Sequence, residues 1–321
     1  MGHSVRMRAL AREVAARGAD VGFTTSTPAL LPFVHPFPCI RHLPNCDIFV
    51  VDTKTSDVPC LMDEFRSSSN APIVYIDHSA SHPNDGELLI FPHAHLSPAL
   101  IKALQGDFSG RVLYGWDYVM LDAEVMQQVP IPYAMRQDGP IVFCAGGSDP
   151  DGTLEQMYAW AATLDIPTQL LFCFGAASQG VLHQLYEARF DESLCKDDNR
   201  HIVPFDRRYL HQAALVVGMF GQTTYECLWY QTPLLTFSRT IEDAKAASAL
   251  ASRCIDSNGE GTSSVTSLGH FTDMTQDIFC SYLTKQWRAK VLRQRMHAAS
   301  IRLFDGHGTG RVADVIMQLG A

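Results

Sequence analysis

The hydrophobic and polar positions of the chain follow two rhythms. Between residues 4 and 17, Val5, Leu10, Val14 and Ala15 recur at helical spacing with arginine and glutamate between them and Gly18 as a stop. That pattern predicts an amphipathic helix at the very start. Short runs of β character follow at 21–25, 47–52, 72–77 and 87–91, interleaved with helix-like segments at 58–67 and 98–104. Apolar runs without polar alternation belong to strands covered on both faces. Such strands alternating with helices predict βα units on a parallel sheet.

A stretch with two prolines and a glycine, 127–139, interrupts the pattern and reads as a linker. Beyond it strands are expected at 140–145, 168–174, 201–204, 215–219 and 233–237, and helices at 153–164, 181–189, 207–214 and 223–230. A long helix rich in arginine and lysine is expected over 285–304 and a short amphipathic one over 312–319. The expected fold is α/β with two Rossmann-like lobes. The first covers residues 1–134, and the second covers 139–321 with its last helices packing back. Ligands of such sheets bind beyond the carboxyl ends of the strands, which puts the expected site in a cleft between the lobes.

Composition agrees with this and excludes several alternatives. At 321 residues the chain has room for two domains of roughly 150 residues. With 46% hydrophobic and 18% charged residues it is globular, not disordered. The net charge of −9 repels nucleic acid and anionic membranes as a whole, so a bound phosphate must be held locally by backbone amides or a few placed cations. Arg288, Lys290, Arg293, Arg295 and Arg302 accordingly read as a solvated helix face and not as a nucleic-acid site. No apolar run approaches the ~18 residues of a membrane span, and the N-terminus lacks the apolar core of a secretory signal. The nine cysteines are odd in number and form no C-x-x-C pair. A reducing cytoplasm without disulfides or structural zinc is the expectation.

Three junctions carry candidate chemistry. Gly2 and His3 open directly into the first helix, where amides and the helix dipole favour an anion and a histidine can serve as a general base. Gly146-Gly147-Ser148-Asp149-Pro150 joins a buried strand to a helix, suiting either close ligand approach or a capped turn. Gly221-Gln222-Thr223-Thr224 repeats that arrangement, and Glu226 two residues on is placed for the two hydroxyls of a ribose or for the positive end of its helix. His78, His82, His93 and His95, near Asp77 and Asp85, have spacings seen in metal sites but read better as a polar loop. No G-x-S-x-G elbow and no P-loop lysine occur, which argues against a serine esterase and a kinase.

In order and spacing, these elements resemble the UDP-sugar hydrolases of the pseudaminic acid pathway and their spore-coat polysaccharide relatives, within the MurG-like GT-B nucleotide-sugar enzymes. The resembling segments are Met1-Gly-His-Ser-Val-Arg-Met-Arg-Ala-Leu-Ala, similar to the family's G-x-G-H-x-x-R-x-x-x-L-A, and Asp-Ile-Phe-Val-Val-Asp at 47–52. Ile-Asp-His-Ser-Ala at 76–80, Leu-Tyr-Gly-Trp-Asp-Tyr-Val-Met-Leu at 113–121, the loops at 146–150 and 221–226, and Asp-Gly-His-Gly-Thr-Gly-Arg-Val-Ala at 305–313 complete the set. The resemblance implies a UDP-sugar bound between two lobes, its pyrophosphate at Gly2-His3 and at Gly221, Gln222, Thr223 and Thr224, and its ribose at Glu226. His3 would orient or deprotonate the attacking water or hydroxyl, and Arg6, Asp52, Tyr118, Gly147, Ser148 and Asp149 would contact the substrate. No metal and no further cofactor is implied.

On the same resemblance, the family's first strand and the first glycine of its loop would precede Met1. Either residues precede Met1 or the N-terminal lobe lacks its first strand. The implied activity is hydrolysis of a UDP-activated deoxyamino sugar at its anomeric bond, releasing UDP and free sugar for nonulosonic acid or surface polysaccharide synthesis. Two alternatives are a GT-B glycosyltransferase using a nucleotide-sugar donor and a homologue that binds the nucleotide-sugar without turnover.

Overall fold

The computed structural model describes residues 2–25, 31–40, 46–52, 58–77, 86–96, 98–178, 180–188, 199–255, 261–300 and 303–320. The chain divides into two compact units, one formed by His3–Ala123 with Phe304–Ala321 and the other by Glu124–Leu303. Each holds one all-parallel sheet, so the expected α/β architecture of two Rossmann-like units is found.

The first unit runs α1 (Gly2–Ala16), α2 (Leu31–Val34), β1 (Phe49–Val51), α3 (Val58–Ser68), β2 (Ile73–Ile76), β3 (Leu88–Phe91), α4 (Pro98–Asp107) and β4 (Arg111–Tyr114). Its strands lie in the order β1-β2-β3-β4. Alternate residues point to opposite faces. Ile73 and Tyr75 join Met62, Phe65 and Ile101 in one core, while Val74 and Ile76 join Leu10, Val312 and Ile316 in another. Burial on both faces is why these strands read as unbroken apolar runs. The edge strand β4, with Arg111 and Tyr114 exposed, lacks that signature and escaped the pattern. The predicted strand at 21–25 amounts to one bridge, Phe23 to Cys39.

The second unit runs α5 (Ala123–Met126), α6 (Tyr133–Arg136), β5 (Ile141–Cys144), α7 (Thr153–Trp160), β6 (Leu170–Phe174), α8 (Val181–Ala188), β7 (Arg200–Pro204), α9 (Arg207–Gln212) and β8 (Leu215–Met219). It continues through α10 (Gln222–Trp229), β9 (Leu234–Ser238), α11 (Ile241–Arg253), β10 (Val265–His270), α12 (Gln276–Arg288) and α13 (Lys290–Ala299). The strand order is β10-β9-β8-β5-β6-β7. The chain therefore builds outward from β5 in one direction, then returns to β5's other side with β8. That reversal creates a switch point between β5 and β8, the position where such sheets bind ligands.

The long helix expected over 285–304 is two helices, α12 and α13, broken at Ala289. Buried Arg293 explains the break: its guanidinium donates to the carbonyls of Gln286 and Trp287, satisfying the end of α12 with a side chain where a continuing helix would use amides. The proline-bearing segment at 127–139 is anchored in the second unit. Buried Arg136 donates to Thr232 Oγ1 at 2.8 Å and to the carbonyls of Tyr230, Gln231 and His211 at the ends of α10 and α9.

The last helix, α14 (Gly308–Leu319), belongs to the first unit. Thr309 Oγ1 donates to the Leu121 carbonyl at 2.8 Å and accepts from its amide at 3.0 Å. Gly308 packs so closely that a Cβ there would sit 2.2 Å from the Val119 carbonyl. The Asp-Gly-His-Gly-Thr-Gly-Arg run is thus an anchor for α14, turned by an Asp305–Arg311 ion pair that holds the Asp305 carboxyl below its ordinary range.

Candidate active site

In the first unit the candidate residues converge on Arg6. His3 and Arg6 are three residues apart on α1 and share a face, and Leu10 one turn on anchors that helix in the core. Asp52 follows the carboxyl end of β1, and Asp77 follows β2 with φ of 57°, a left-handed conformation that aspartate tolerates better than most residues. Arg6, buried at 4% exposure, grips Asp52 with two donors, Nε to Oδ2 at 3.0 Å and Nη2 to Oδ1 at 2.6 Å. It also reaches Asp77 Oδ2 at 3.4 Å. Such a fork is the charge-assisted arrangement a lysine cannot supply.

His3 Nδ1 lies 2.5 Å from Asp52 Oδ1. A carboxylate only accepts, so Nδ1–H is the donor to Asp52 and, in the neutral imidazole, Nε2 carries the lone pair; Arg6 Nη2 also stands 3.0 Å from Nδ1. The side chain of His3 is 38% exposed while that of Asp52 is 1% exposed, so the imidazole is reachable from solvent and its orienting partner is not. Burial alone would push the Asp52 carboxyl up. The charge of Arg6 and the hydrogen bonds from His3 and Arg6 outweigh it and hold the carboxyl below its ordinary range. Asp52 is therefore a fixed anion behind a solvent-facing histidine, able to stabilise the imidazolium that proton uptake creates.

A second imidazole completes the cluster. His93 Nε2 lies 2.9 Å from Asp77 Oδ1 and 3.4 Å from Arg6 Nη1, with its ring stacked on His95 at 5.2 Å. In the sequence His93 and Asp77 read as part of a polar loop; in the structure both lie against Arg6. Their separation of 71 and 87 residues from Arg6 leaves no local signal for that pairing. His78, His82 and Asp85 lie outside the described residues. Among the described residues no group of three His, Cys, Asp or Glu converges as a metal set.

In the second unit the two glycine loops flank the switch point. β5 pairs with β8 from Ile141–Leu215 to Cys144–Gly218, which brings the loops that follow these strands side by side. The Gly146–Asp149 loop is turned by φ of 90° at Gly146 and 40° at Asp149, and packs against Gly175, whose missing side chain would meet the Gly147 carbonyl at 2.3 Å. Ser148 is exposed. Asp149 accepts from the amides of Thr153 at 3.0 Å and Leu154 at 2.9 Å, so its carboxylate satisfies the start of α7.

The other loop differs. Thr224 is buried and its Oγ1 accepts from the Gly221 amide at 3.2 Å, which shapes the turn into α10, while Gln222 and Thr223 are half-buried. Gly221 faces open space, since a Cβ there would meet nothing within 4 Å. Glu226, one turn into α10, is buried, and its Oε1 accepts from Arg207 Nε at 3.1 Å. Arg207 was not singled out from the sequence. Its position just after β7, within Asp206-Arg207-Arg208, was the available signal. Cys144 beneath this loop is a neutral thiol, pushed up to about 12 by burial and by the charge of Glu226.

Gly2 is the exposed first residue of α1, and Tyr118 lies in a 3-10 turn, packed against the Leu113, Met120 and Val312 core.

No family model and no curated protein matches the sequence. Solved structures match over nearly the whole chain. MurG of Acinetobacter baumannii is 14% identical with a TM-score of 0.63, covering 99% of this chain and 96% of its own. The spinosyn forosaminyltransferase SpnP gives 13% and 0.63 with the same coverage. The Anabaena protein HepE in complex with UDP-glucose gives 14% and 0.59, again covering 99% and 96%. The chain has the GT-B fold of MurG-like glycosyltransferases. The narrower resemblance to pseudaminic-pathway hydrolases or spore-coat proteins finds no support among these matches.

Proposed function

We propose that the chain is a glycosyltransferase that moves a sugar from a UDP-sugar donor to an acceptor hydroxyl. The observation that carries this reading is the His3–Asp52 pair clamped by Arg6. His3 Nε2 takes the proton of the acceptor hydroxyl, and the freed oxygen forms a bond to the anomeric carbon. The anomeric carbon–oxygen bond to the nucleotide breaks, and UDP leaves with the electron pair. Asp52 holds the imidazole in the required tautomer and balances its charge.

The second unit supplies the nucleotide site in this reading. Backbone amides at Gln222 and Thr223, at the start of α10, take the diphosphate, with Gly221 leaving open space for its approach and the Gly147–Ser148 loop beside them. Glu226, steadied by Arg207, accepts from the ribose hydroxyls. The likeness to a forosaminyltransferase and to a protein complexed with UDP-glucose supports transfer from a UDP-sugar over the hydrolysis expected from sequence. Hydrolysis uses the same base and differs only in the nucleophile.

The test is UDP release from a panel of UDP-sugars with and without a library of hydroxyl acceptors. Release that depends on acceptor is expected. Release at an equal rate without acceptor assigns the hydrolase activity instead.

A further inference from the structure

Charge along the chain is segregated. Residues 278–304 contain six of the 25 lysines and arginines and none of the 34 acidic residues. Arg293 is buried against backbone carbonyls, whereas Lys285, Arg288, Lys290 and Arg295 are exposed on α12 and α13. On α12 the same surface carries apolar groups. Ile278 is 42% and Tyr282 45% exposed, and with Lys285 they follow the i, i+4, i+7 spacing of a single helical stripe. Beside that stripe lies an open cavity of about 740 Å³, lined by Thr163, Asp165, Ser281, Thr284, Lys285 and Arg288. Three acids temper the patch: Asp138, 2.5 Å from Lys290, Asp165 in the cavity wall, and exposed Asp277 in the first turn of α12, next to Ile278 and one turn before Ser281.

Thr163–Asp165 connect the end of α7 to β6, so this face lies at the amino-terminal edge of the sheet. The glycine loops at 146–149 and 221–224 are at the opposite edge. A partner seated on α12 leaves those loops open.

We propose that the α12–α13 face is a docking surface for an anionic lipid bilayer. Tyr282 and Ile278 enter the headgroup boundary, and Lys285, Arg288 and the cavity between them take the anionic headgroups. Basic side chains without exposed apolar groups would fit any polyanion. An aromatic and an aliphatic side chain in one stripe with them fit an interface that is charged at its surface and apolar beneath. The chain as a whole is at −9 and is repelled by such a surface, so attraction confined to this face also orients the molecule on it. The proposal does not depend on which sugar chemistry the protein performs.

The experiment is co-sedimentation of the full chain with vesicles of phosphatidylcholine alone and with about 30% phosphatidylglycerol, at ~0.1 M salt. Binding to the anionic vesicles only, weakening as salt is raised, is expected. Each basic residue near an anionic surface is worth about fivefold in partition. Lys285→Glu with Arg288→Glu should lower binding by more than tenfold, and Ile278→Ser with Tyr282→Ser should lower it severalfold. Neither pair should change UDP affinity, which also reports that the variants are folded. Equal binding of wild type and the charge-reversed variant overturns the proposal. So does equal binding to neutral vesicles, absence of binding to either, or retention on single-stranded RNA without vesicle binding.

Discussion

His3 Nδ1 and Asp52 Oδ1 stand 2.5 Å apart, with the other oxygen of Asp52 held by Arg6 Nε at 3.0 Å, so the imidazole, the carboxylate and the guanidinium form one rigid unit. Asp52→Asn removes the charge behind the imidazole and lets the amide donate to Nδ1, which favours the wrong tautomer. Turnover is expected to fall about 10² to 10⁴-fold with KM little changed. Steady-state kinetics of UDP release checks it, and a variant that changed only KM would speak against the orienting role.

Arg6 has a structural consequence as well. Arg6→Ala strips buried Asp52 of its two guanidinium donors and leaves it with His3 as its partner, beside Asp77, and breaking a buried pair of this kind costs about 3 to 5 kcal/mol. Urea unfolding of the variant should show that loss. A loss below about 1 kcal/mol would mean that the cluster relaxes to solvent.

Strands covered on both faces were legible in the sequence because their periodicity disappears: Ile73–Ile76, Ile141–Cys144 and Leu170–Phe174 each read as unbroken apolar runs. β10 was not legible, since Val-Thr-Ser-Leu-Gly-His at a sheet edge carries only one fully buried position. The same contrast holds for the site. His3, Arg6 and Asp52 sit in recognisable local motifs, at a helix start and a strand end. Asp77, His93 and Arg207 act through partners 71, 87 and 19 residues away, and no local spacing encodes such a partner. Arg136 and Arg293 look like ordinary surface cations in sequence, yet both are buried on helix-end carbonyls.

Two glycines separate anchoring from binding. Gly308→Ala would drive a Cβ to 2.2 Å from the Val119 carbonyl, and overpacking of that kind costs about 1 to 3 kcal/mol. Its thermal midpoint should fall while UDP affinity persists. Gly221 has extended backbone at φ 161° and faces open space, so Gly221→Val should leave the midpoint unchanged and lower UDP affinity. Calorimetry and thermal unfolding of both variants test the distinction.

Glu226→Gln should weaken UDP binding by about tenfold, the scale of one charge-assisted hydrogen bond. The variant should also lose the preference of the wild type for UDP over its 2′,3′-dideoxy analogue. An undiminished preference would remove Glu226 from the ribose site.

His297 makes stability depend on pH. Burial, and then the charge of Arg136 2.7 Å away, hold its imidazole below the ordinary value. Its contribution is therefore present above about pH 6.5 and is lost as pH falls through the folded value, because the unfolded chain takes up a proton first. The urea midpoint of wild type should drop more than that of His297→Gln between pH 7.5 and 5. Parallel curves would contradict the assignment.

The most direct test of the central claim compares wild type with His3→Ala in acceptor-dependent UDP release and, on the same samples, in UDP affinity by calorimetry. The account predicts that kcat falls at least about 10²-fold while the Kd for UDP stays within about threefold. Turnover that survives the substitution would contradict it.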